Sequence, residues 1–164
     1  FSGINSPFSK RSIILLKNRG LFKNLTLEYT YMKFTSKGHK NILATHKTTL
    51  EFTKDSEIKI EGDCIVGVKA DFDLEEIKEL ARKGGRVRVT IQVDDLTEEI
   101  NGELNPNFSD EKEMVIRMGS FASDRTLVVN ADKSAKYLSR KLVERLRLPN
   151  SKIIVEMRPT PNKL

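Results

Sequence analysis

The sequence is poor in cysteine, in aromatic residues and in long apolar runs. Its single cysteine, Cys64, cannot close a disulfide within the chain, which excludes a disulfide-stapled domain and favours a cytoplasmic protein. No stretch approaches the roughly 18 apolar residues that a membrane-spanning helix requires. With no tryptophan and only 7% aromatic residues, the chain offers few rings on which RNA bases could stack. We therefore predict no membrane partner and regard nucleic acid as a less favoured ligand.

The net charge of +6 is unevenly distributed along the chain. Residues 1–31 contain five bases and a single acid, Glu28, and account for +4 of it. The rest of the chain carries the remaining +2 and is nearly neutral. A basic chain favours nucleic acid as a partner, but most of this excess lies outside the segment with regular patterning.

The first segment, residues 1–31, keeps neither the period of a strand nor that of a helix for long. The first methionine, Met32, directly precedes the first predicted strand, 33–36. Three alternatives remain open for 1–31: an upstream stretch that is not translated, a flexible basic tail, or a transit-like peptide. We expect a basic leader over 1–31 that is disordered or not translated, a single β-rich domain over 32–158, and a frayed tail over 159–164.

Alternation of apolar and polar residues predicts three of the strands: TTLEFTK (48–54), SEIKIEG (56–62) and RVRVTIQVDD (86–95). TEEINGELN (97–105) and KEMVIRMGS (112–120) are predicted as two further strands separated by a loop. DCIVGV (63–68) is apolar on both faces, which is typical of a central strand. KIIVEM (152–157) is predicted as the closing strand.

Two amphipathic helices are predicted. In LEEIKELARKGG the apolar residues share one helical face, Asp73 is in position to cap the first turn, and Gly84 can end the helix. A second helix is predicted from Asp132 to Arg147, with Pro149 beyond its end. Its buried stripe consists of Ala135, Leu138, Leu142, Val143 and Leu146. These elements predict an α+β, strand-dominated fold: an antiparallel β-sandwich-like domain with two helices.

Three separated blocks of the sequence carry a family resemblance. THKTTLEFTKD, GDCIVGV followed by ADFD, and SDRTLVVNADKSA together resemble the archaeal family known as domain of unknown function 371. The resemblance runs from Met32 to about Met157. It implies a compact, β-rich, sandwich-like domain of the archaeal cytoplasm, with members that begin near the equivalent of Met32. It implies no activity, so it assigns no catalytic residue and no cofactor, and leaves open whether the protein is an enzyme.

Several residues have the chemistry of a metal or nucleophile site. His39, His46, Asp63, Cys64 and Asp71 are of the types that bind zinc, but their spacing matches no known motif. The alternative is that both histidines bond backbone groups in turns, and we predict no metal. Cys64 beside a histidine could act as a nucleophile; alternatively it packs as a small apolar residue in its strand.

An anion pocket is the most specific hypothesis. The side chains that could bind the anion are the charged or hydroxyl-bearing residues Lys47, Thr48, Arg125, Thr126 and Lys133. SDRTLVVNADKSA ends at the start of the second predicted helix, where free backbone amides favour an anion. The alternatives are that Asp132 caps these amides and that Arg125 pairs with Asp124 or Asp63.

Two further patterns allow other functions. The carboxylates of Asp63, Asp71 and Asp73 could serve acid–base chemistry or hold a cation, although Asp73 fits a cap and Asp71 a turn. Four outward bases could form an RNA-binding face: Arg86, Arg88, Lys112 and Arg117.

We therefore predict that the domain binds, or acts on, a small anionic ligand in a polar pocket at the strand ends. The candidate residues are His39, His46, Lys47, Thr48, Asp63, Asp71, Arg125 and Lys133. The prediction requires that His46, Asp63 and Arg125 point into one cavity. The alternative function is an RNA- or protein-binding module linked to translation or RNA processing. An exposed edge strand would also allow a homodimer.

Overall fold

The structure is a computed structural model that describes residues 31–162 together with the two strands Ser12–Leu15 and Thr26–Tyr29. In chain order the elements are β1 (Ser12–Leu15), β2 (Thr26–Tyr29), β3 (Met32–Lys37), β4 (Thr49–Thr53), β5 (Ile65–Gly67), α1 (Leu74–Arg82), β6 (Arg86–Val93), β7 (Leu96–Leu104), β8 (Glu113–Arg117), β9 (Thr126–Val129), a 3-10 turn (Ala135–Tyr137), α2 (Arg140–Leu146) and β10 (Lys152–Thr160).

Eight of the strands form one sheet, in the order β3-β10-β6-β7-β9-β8-β4-β5. Its neighbours pair antiparallel except for β8–β9 and β4–β5, which are parallel. The two edge strands meet where Lys37 and Val68 exchange backbone hydrogen bonds of 2.7 and 2.9 Å. The α+β, strand-dominated class is confirmed. The sandwich-like arrangement is not confirmed, because the strands form a single curved sheet whose edges touch.

The core lies on the inner face of this sheet. The alternation predicted for 86–95 is confirmed, because Val87, Val89, Ile91 and Val93 on β6 are buried. The ring of Phe34 packs edge-on against two other phenylalanines of the core, Phe52 at 5.4 Å and Phe72 at 5.6 Å.

Helix α1 forms as predicted. The side chain of Asp73 accepts a hydrogen bond of 3.0 Å from the backbone of Glu76, and Gly84 ends the helix with a φ of +59°. Ile77, Leu80 and Ala81 are buried against the sheet.

The predicted second strand, 56–62, is wrong. It belongs to the loop 54–64, which connects the parallel strands β4 and β5, and its two isoleucines differ: Ile58 is buried while Ile60 is exposed. The predicted central strand 63–68 is also wrong in its position, because only Ile65–Gly67 is a strand and it lies at the sheet edge. Val66 and Val68 are nevertheless buried and Ile65 is partly buried, and the bridge between Lys37 and Val68 covers that edge.

Two corrections concern the second half of the chain. TLVV, Thr126–Val129, is a strand parallel to β8 that the sequence pattern did not predict. The second helix does not begin at Asp132: a 3-10 turn is followed by Leu138, whose extended backbone (ψ 143°) separates the turn from α2. The predicted apolar stripe is still buried.

The closing strand is longer than predicted. β10 continues to Thr160, opposite Arg86 on β6. β3 begins at Met32, opposite Met157, so beside Pro159 one side of β10 has no partner strand among the described residues, a position that tolerates proline.

Within the leader, β1 and β2 pair antiparallel in a two-stranded sheet of their own. The other residues of 1–30 lie outside the described part of the chain, so the expectation for the leader stays a prediction. No helix in the described residues is long and apolar enough to span a bilayer.

Candidate functional site

A cluster of polar side chains lies on the outer face of β4 and β8, and we call it the β4–β8 face. Register places Thr49 opposite Arg117 and Glu51 opposite Val115. These side chains alternate with those that enter the core, as strand geometry requires. Glu51 is nevertheless only 6% exposed, so something must cover this outer face.

Part of the cover is the loop 118–125. It joins β8 to β9, and because these neighbouring strands are parallel, the loop has to run back along the length of β8. Its side chains contact the β4–β8 face at both ends: the Phe121 ring lies 5.1 Å from the Arg117 guanidinium, and Arg125 reaches Glu113. Glu51 itself is contacted by Arg125 at the end of this loop and by the Cys64 thiol from the segment before β5.

Two carboxyl groups share one arginine under this loop. Arg125 Nη1 donates a 2.5 Å hydrogen bond to Glu113 Oε2 and lies 3.5 Å from Glu51 Oε1. Glu51 Oε2 accepts from the Cys64 thiol at 3.6 Å, whereas Glu51 Oε1 accepts no hydrogen bond within the described residues. One cation therefore faces two carboxyl groups, one of them buried.

This environment favours the uncharged form of Glu51. Burial, followed by a shared hydrogen bond and charge repulsion with Glu113, raises the pKa of Glu51 to about 8, although Arg125 opposes the rise. At neutral pH Glu51 is therefore mostly in its protonated, uncharged form.

Cys64 does not have the properties of an activated nucleophile. Burial and the neighbouring Glu51 raise the pKa of its thiol to about 11. A nucleophilic cysteine needs the opposite shift, toward the thiolate. The structure therefore favours the alternative in which Cys64 is a largely buried packing residue.

The turn before β4 is built around His46. Its Nδ1 accepts from the backbone nitrogens of Thr48 and Thr49, at 3.2 and 3.1 Å, which leaves the ring hydrogen on Nε2. The backbone carbonyls of His46 and Lys47 accept from the Ser134 hydroxyl at 3.0 and 2.7 Å. The His46 side chain therefore organises this turn, as the turn alternative predicts.

The same end of the sheet holds Arg117, the last residue of β8. Its Nε is buried and has no hydrogen-bond partner within the described residues, and no described carboxylate pairs with its guanidinium. Lys47 and Lys136 lie close by, since the backbone nitrogen of Lys136 donates to the His46 carbonyl at 3.0 Å. We refer to Arg117 with His46, Lys47, Thr48 and Lys136 as the Arg117 site.

Comparison with known proteins identifies the family. The profile of the family described as Domain of unknown function (DUF371) matches residues 34–160. The chain is 41% identical over 118 residues to an uncharacterized protein of Methanocaldococcus jannaschii, an alignment that covers 68% of this chain and 87% of that relative. The chain belongs to the DUF371 family. The family resemblance of the three sequence blocks is thereby confirmed.

The DUF371 domain does not bring the sequence-predicted site residues together. His39 Nε2 lies 3.1 Å from a carboxylate oxygen of Glu57, and its Nδ1 caps a turn. Asp71 accepts from the backbone and hydroxyl of Thr35 at 2.7 and 2.5 Å. Lys133 is paired with Glu98 at 3.1 Å. Each of these side chains is occupied in a separate part of the fold.

The three side chains expected in one cavity also have different partners. Asp63 Oδ2 accepts from the Thr45 hydroxyl at 3.0 Å, His46 caps its own turn, and Arg125 is held by Glu113. Within the described residues no hydrogen bond or ion pair joins these three side chains, although the backbone nitrogen of His46 donates to the Asp63 carbonyl at 3.3 Å. Of the predicted set, His46, Lys47 and Thr48 lie at the Arg117 site.

The proposed RNA-binding face of the DUF371 domain is divided. Arg86 and Arg88 lie on β6, whereas Arg117 and Lys112 belong to the β8 region, and β7 and β9 lie between them. Acidic or amide partners contact two of these bases: Arg88 lies 3.3 Å from the Asn101 side chain, and Lys112 is paired with a carboxylate at 3.0 Å.

Sequence reasoning missed the carboxyl pair. The alternation of TTLEFTK predicts that Glu51 points away from the core, which is correct, but it also predicts an exposed side chain, whereas Glu51 is buried. No sequence pattern predicts that a loop will cross the outer face of a sheet. In the described part of the DUF371 domain, no group of three or more His, Cys, Asp or Glu side chains is arranged to hold a metal ion.

Proposed function

We propose that this domain binds a small anionic ligand at the Arg117 site, where the end of β8 meets the turn before β4. The proposal rests on Arg117, whose Nε is buried without a hydrogen-bond partner within the described residues. Leaving a charged donor buried and unpartnered costs free energy, and an oxyanion would provide the missing acceptor. Guanidinium groups bind phosphate and carboxylate groups through two parallel hydrogen bonds.

The local charge supports an anion rather than a cation. Arg117, Lys47 and Lys136 form no ion pair with any described carboxylate. Of the neighbouring acids, Glu51 is favoured in its uncharged form by burial, and Glu113 is paired with Arg125. The anion site therefore differs from the sequence-based hypothesis in its central residue, because Arg125 is compensated and Arg117 is not.

Thermal unfolding in the presence of sulfate, phosphate and phosphorylated metabolites tests this proposal. A ligand at a hundred times its dissociation constant adds about 2.7 kcal/mol to the free energy of unfolding, which should raise the melting temperature by roughly 5–10 °C. Sodium chloride at equal ionic strength is the control for screening. Arg117→Ala should abolish the shift.

Arg88→Ala is the matched control variant. Arg88 is also an outward strand arginine, but it lies on β6 and contacts Asn101. It should retain the full shift. Equal shifts in both variants, or no anion that stabilises the wild type beyond the chloride control, would refute the Arg117 site. If RNA is the ligand instead, binding should weaken steeply with salt and Arg88→Ala should weaken it as well.

A further inference from the structure

The carboxyl pair of Glu51 and Glu113 lies beside the Arg117 site on the same face of the sheet. Glu51 is opposite Val115, and Val115 separates Glu113 from Arg117 along β8. Glu51 is therefore a diagonal neighbour of both Glu113 and Arg117. Diagonal side chains on a sheet face start about 7 Å apart and are within reach of long residues. A charge at one position therefore acts on the other.

The groups that surround Glu51 come from three elements. The charged and titratable ones are Glu113 from β8, Arg125 from the loop before β9, and Cys64 and Asp63 from the segment before β5. At the next position on the same face lie Arg117 and the ring of His46, which contacts Thr49. Among the described residues, Arg125 is the cation that forms ion pairs with the two carboxyl groups, and its side chain is 50% exposed. Within the described residues the pair therefore has one ion-paired counter-charge for two acids.

The proton on this pair changes the charge that an incoming anion meets. With the proton present, the pair carries one negative charge, which Arg125 balances. Without it, the pair carries two, and the second lies on the buried Glu51 next to Arg117. Glu51 is 6% exposed, so water screens this charge less than it would at the surface.

We propose that the Arg117 site and the Glu51–Glu113 pair form one proton-coupled anion site, in which an oxyanion on Arg117 binds well only while the pair keeps its shared proton. The inference rests on the proposed function of the Arg117 site and adds its regulation. The anion and the proton stabilise each other, and by linkage each raises the affinity for the other by the same factor.

The size of the coupling between anion binding and ionisation of Glu51 follows from the distance between the bound anion and the Glu51 carboxylate. Two unit charges roughly 7–8 Å apart in a partly screened site interact strongly enough to change an equilibrium constant about tenfold. The pKa of Glu51 is about 8, so the transition falls in an experimentally convenient range. The Cys64 thiol titrates at about 11, outside this range.

The experiment is titration of the intact protein with sulfate between about pH 6.5 and pH 9.5, where lysine side chains largely keep their charge. Sulfate is the probe because its own charge is constant here, whereas phosphate titrates near neutrality. The wild-type dissociation constant should be flat below about pH 8 and then rise roughly tenfold to a plateau. Glu51→Gln should bind sulfate with no such pH dependence.

A matched control and a second measurement complete the test. Glu99→Gln removes an acid from the exposed outer face of β7, which is not in contact with the pair, and should keep the wild-type pH profile. In calorimetry with buffers of different ionisation enthalpy, sulfate binding to the wild type should take up protons just above pH 8. This readout does not depend on the folding of a variant.

The outcomes separate the two proposals. Sulfate binding that needs Arg117 but shows no pH dependence and no proton uptake would overturn the coupling and leave the anion site intact. A pH dependence that persists unchanged in Glu51→Gln would also overturn it. No sulfate binding to the wild type at any pH would overturn the Arg117 site and the coupling together.

Discussion

The substitution Glu51→Gln should make the protein more stable at pH 8 and leave its stability unchanged near pH 4. Glutamine has the shape of the protonated glutamate, so it can donate a hydrogen bond to Glu113 and accept the Cys64 thiol hydrogen. The difference between the two proteins is therefore the cost of ionising Glu51 in its buried position.

The sign follows from proton linkage. The pKa of Glu51 is 4.5 as the ordinary value and about 8 in the folded protein. Between these values the folded protein holds a proton that the unfolded chain has released, so wild-type stability falls as pH rises. Below pH 4.5 both states are protonated and the variant has no advantage. Above about 8 the loss is complete.

The magnitude follows from the size of the shift. Each pKa unit corresponds to about 1.4 kcal/mol, which sets an upper limit of roughly 5 kcal/mol for this shift. The side chains of Arg125 and Glu113 are 50% and 28% exposed, so water reaches the edge of the pair. Screening at a partly exposed site reduces such values, and we expect Glu51→Gln to gain about 2–3 kcal/mol at pH 8.

Urea unfolding of both proteins at a series of pH values from about 4 to 9 measures this difference directly. The gap in unfolding free energy should open with rising pH and level off above about 8. Glu99→Gln, an exposed acid paired with Arg88, should show no such opening. A gap that is independent of pH, or a variant that is less stable than the wild type at pH 8, would refute the buried carboxyl pair.

Three further outcomes are expected. Cys64, with its thiol pKa at about 11, should react with iodoacetamide roughly a hundredfold more slowly in the folded than in the urea-unfolded protein; equal rates would contradict its burial beside a carboxyl group. Asp71→Ala removes both acceptors of Thr35 and should cost about 2 kcal/mol in urea unfolding; a cost near zero would show that water replaces them. Gly67→Ala would place a Cβ 2.9 Å from the Phe52 ring and should lower stability by about 2 kcal/mol or more, seen as a lower melting temperature; an unchanged value would mean that β5 can move away from β4.

Sequence periodicity predicted those elements in which each residue's environment follows from its neighbours in the chain. β6 alternates cleanly because core and water lie on its two sides, and α1 has its cap and its apolar face within one short segment. The prediction failed for 56–62, where Ile58 and Ile60 alternate but the chain must cross from one parallel strand to the next. It failed again at Asp132, because side-chain bonds from Ser134 to the turn at His46 hold that segment away from a continuous helix.

The candidate site was only partly visible in the sequence. The turn at His46, Lys47 and Thr48 was recognised from its polar residues at a strand end, where loops often carry ligand-binding groups. Arg125 was recognised as a cation, but its compensation by Glu113 and Glu51 depends on residues distant in the chain. From its outward position in a strand, Arg117 is predicted to lie on the RNA-binding face. Only the fold shows that its Nε is buried without a hydrogen-bond partner within the described residues.

By itself, the sequence determined the strand-dominated class, the best-patterned strands, the first helix and the family, because these depend on local periodicity and on blocks of identity. Only the tertiary structure decided which polar residues are buried and which charges remain uncompensated. The physical reason is the parallel pairing of β8 with β9. It obliges the loop 118–125 to run back along β8 and brings Arg125 to Glu51. Together with Cys64, Arg125 encloses an acid that the strand pattern alone would leave at the surface.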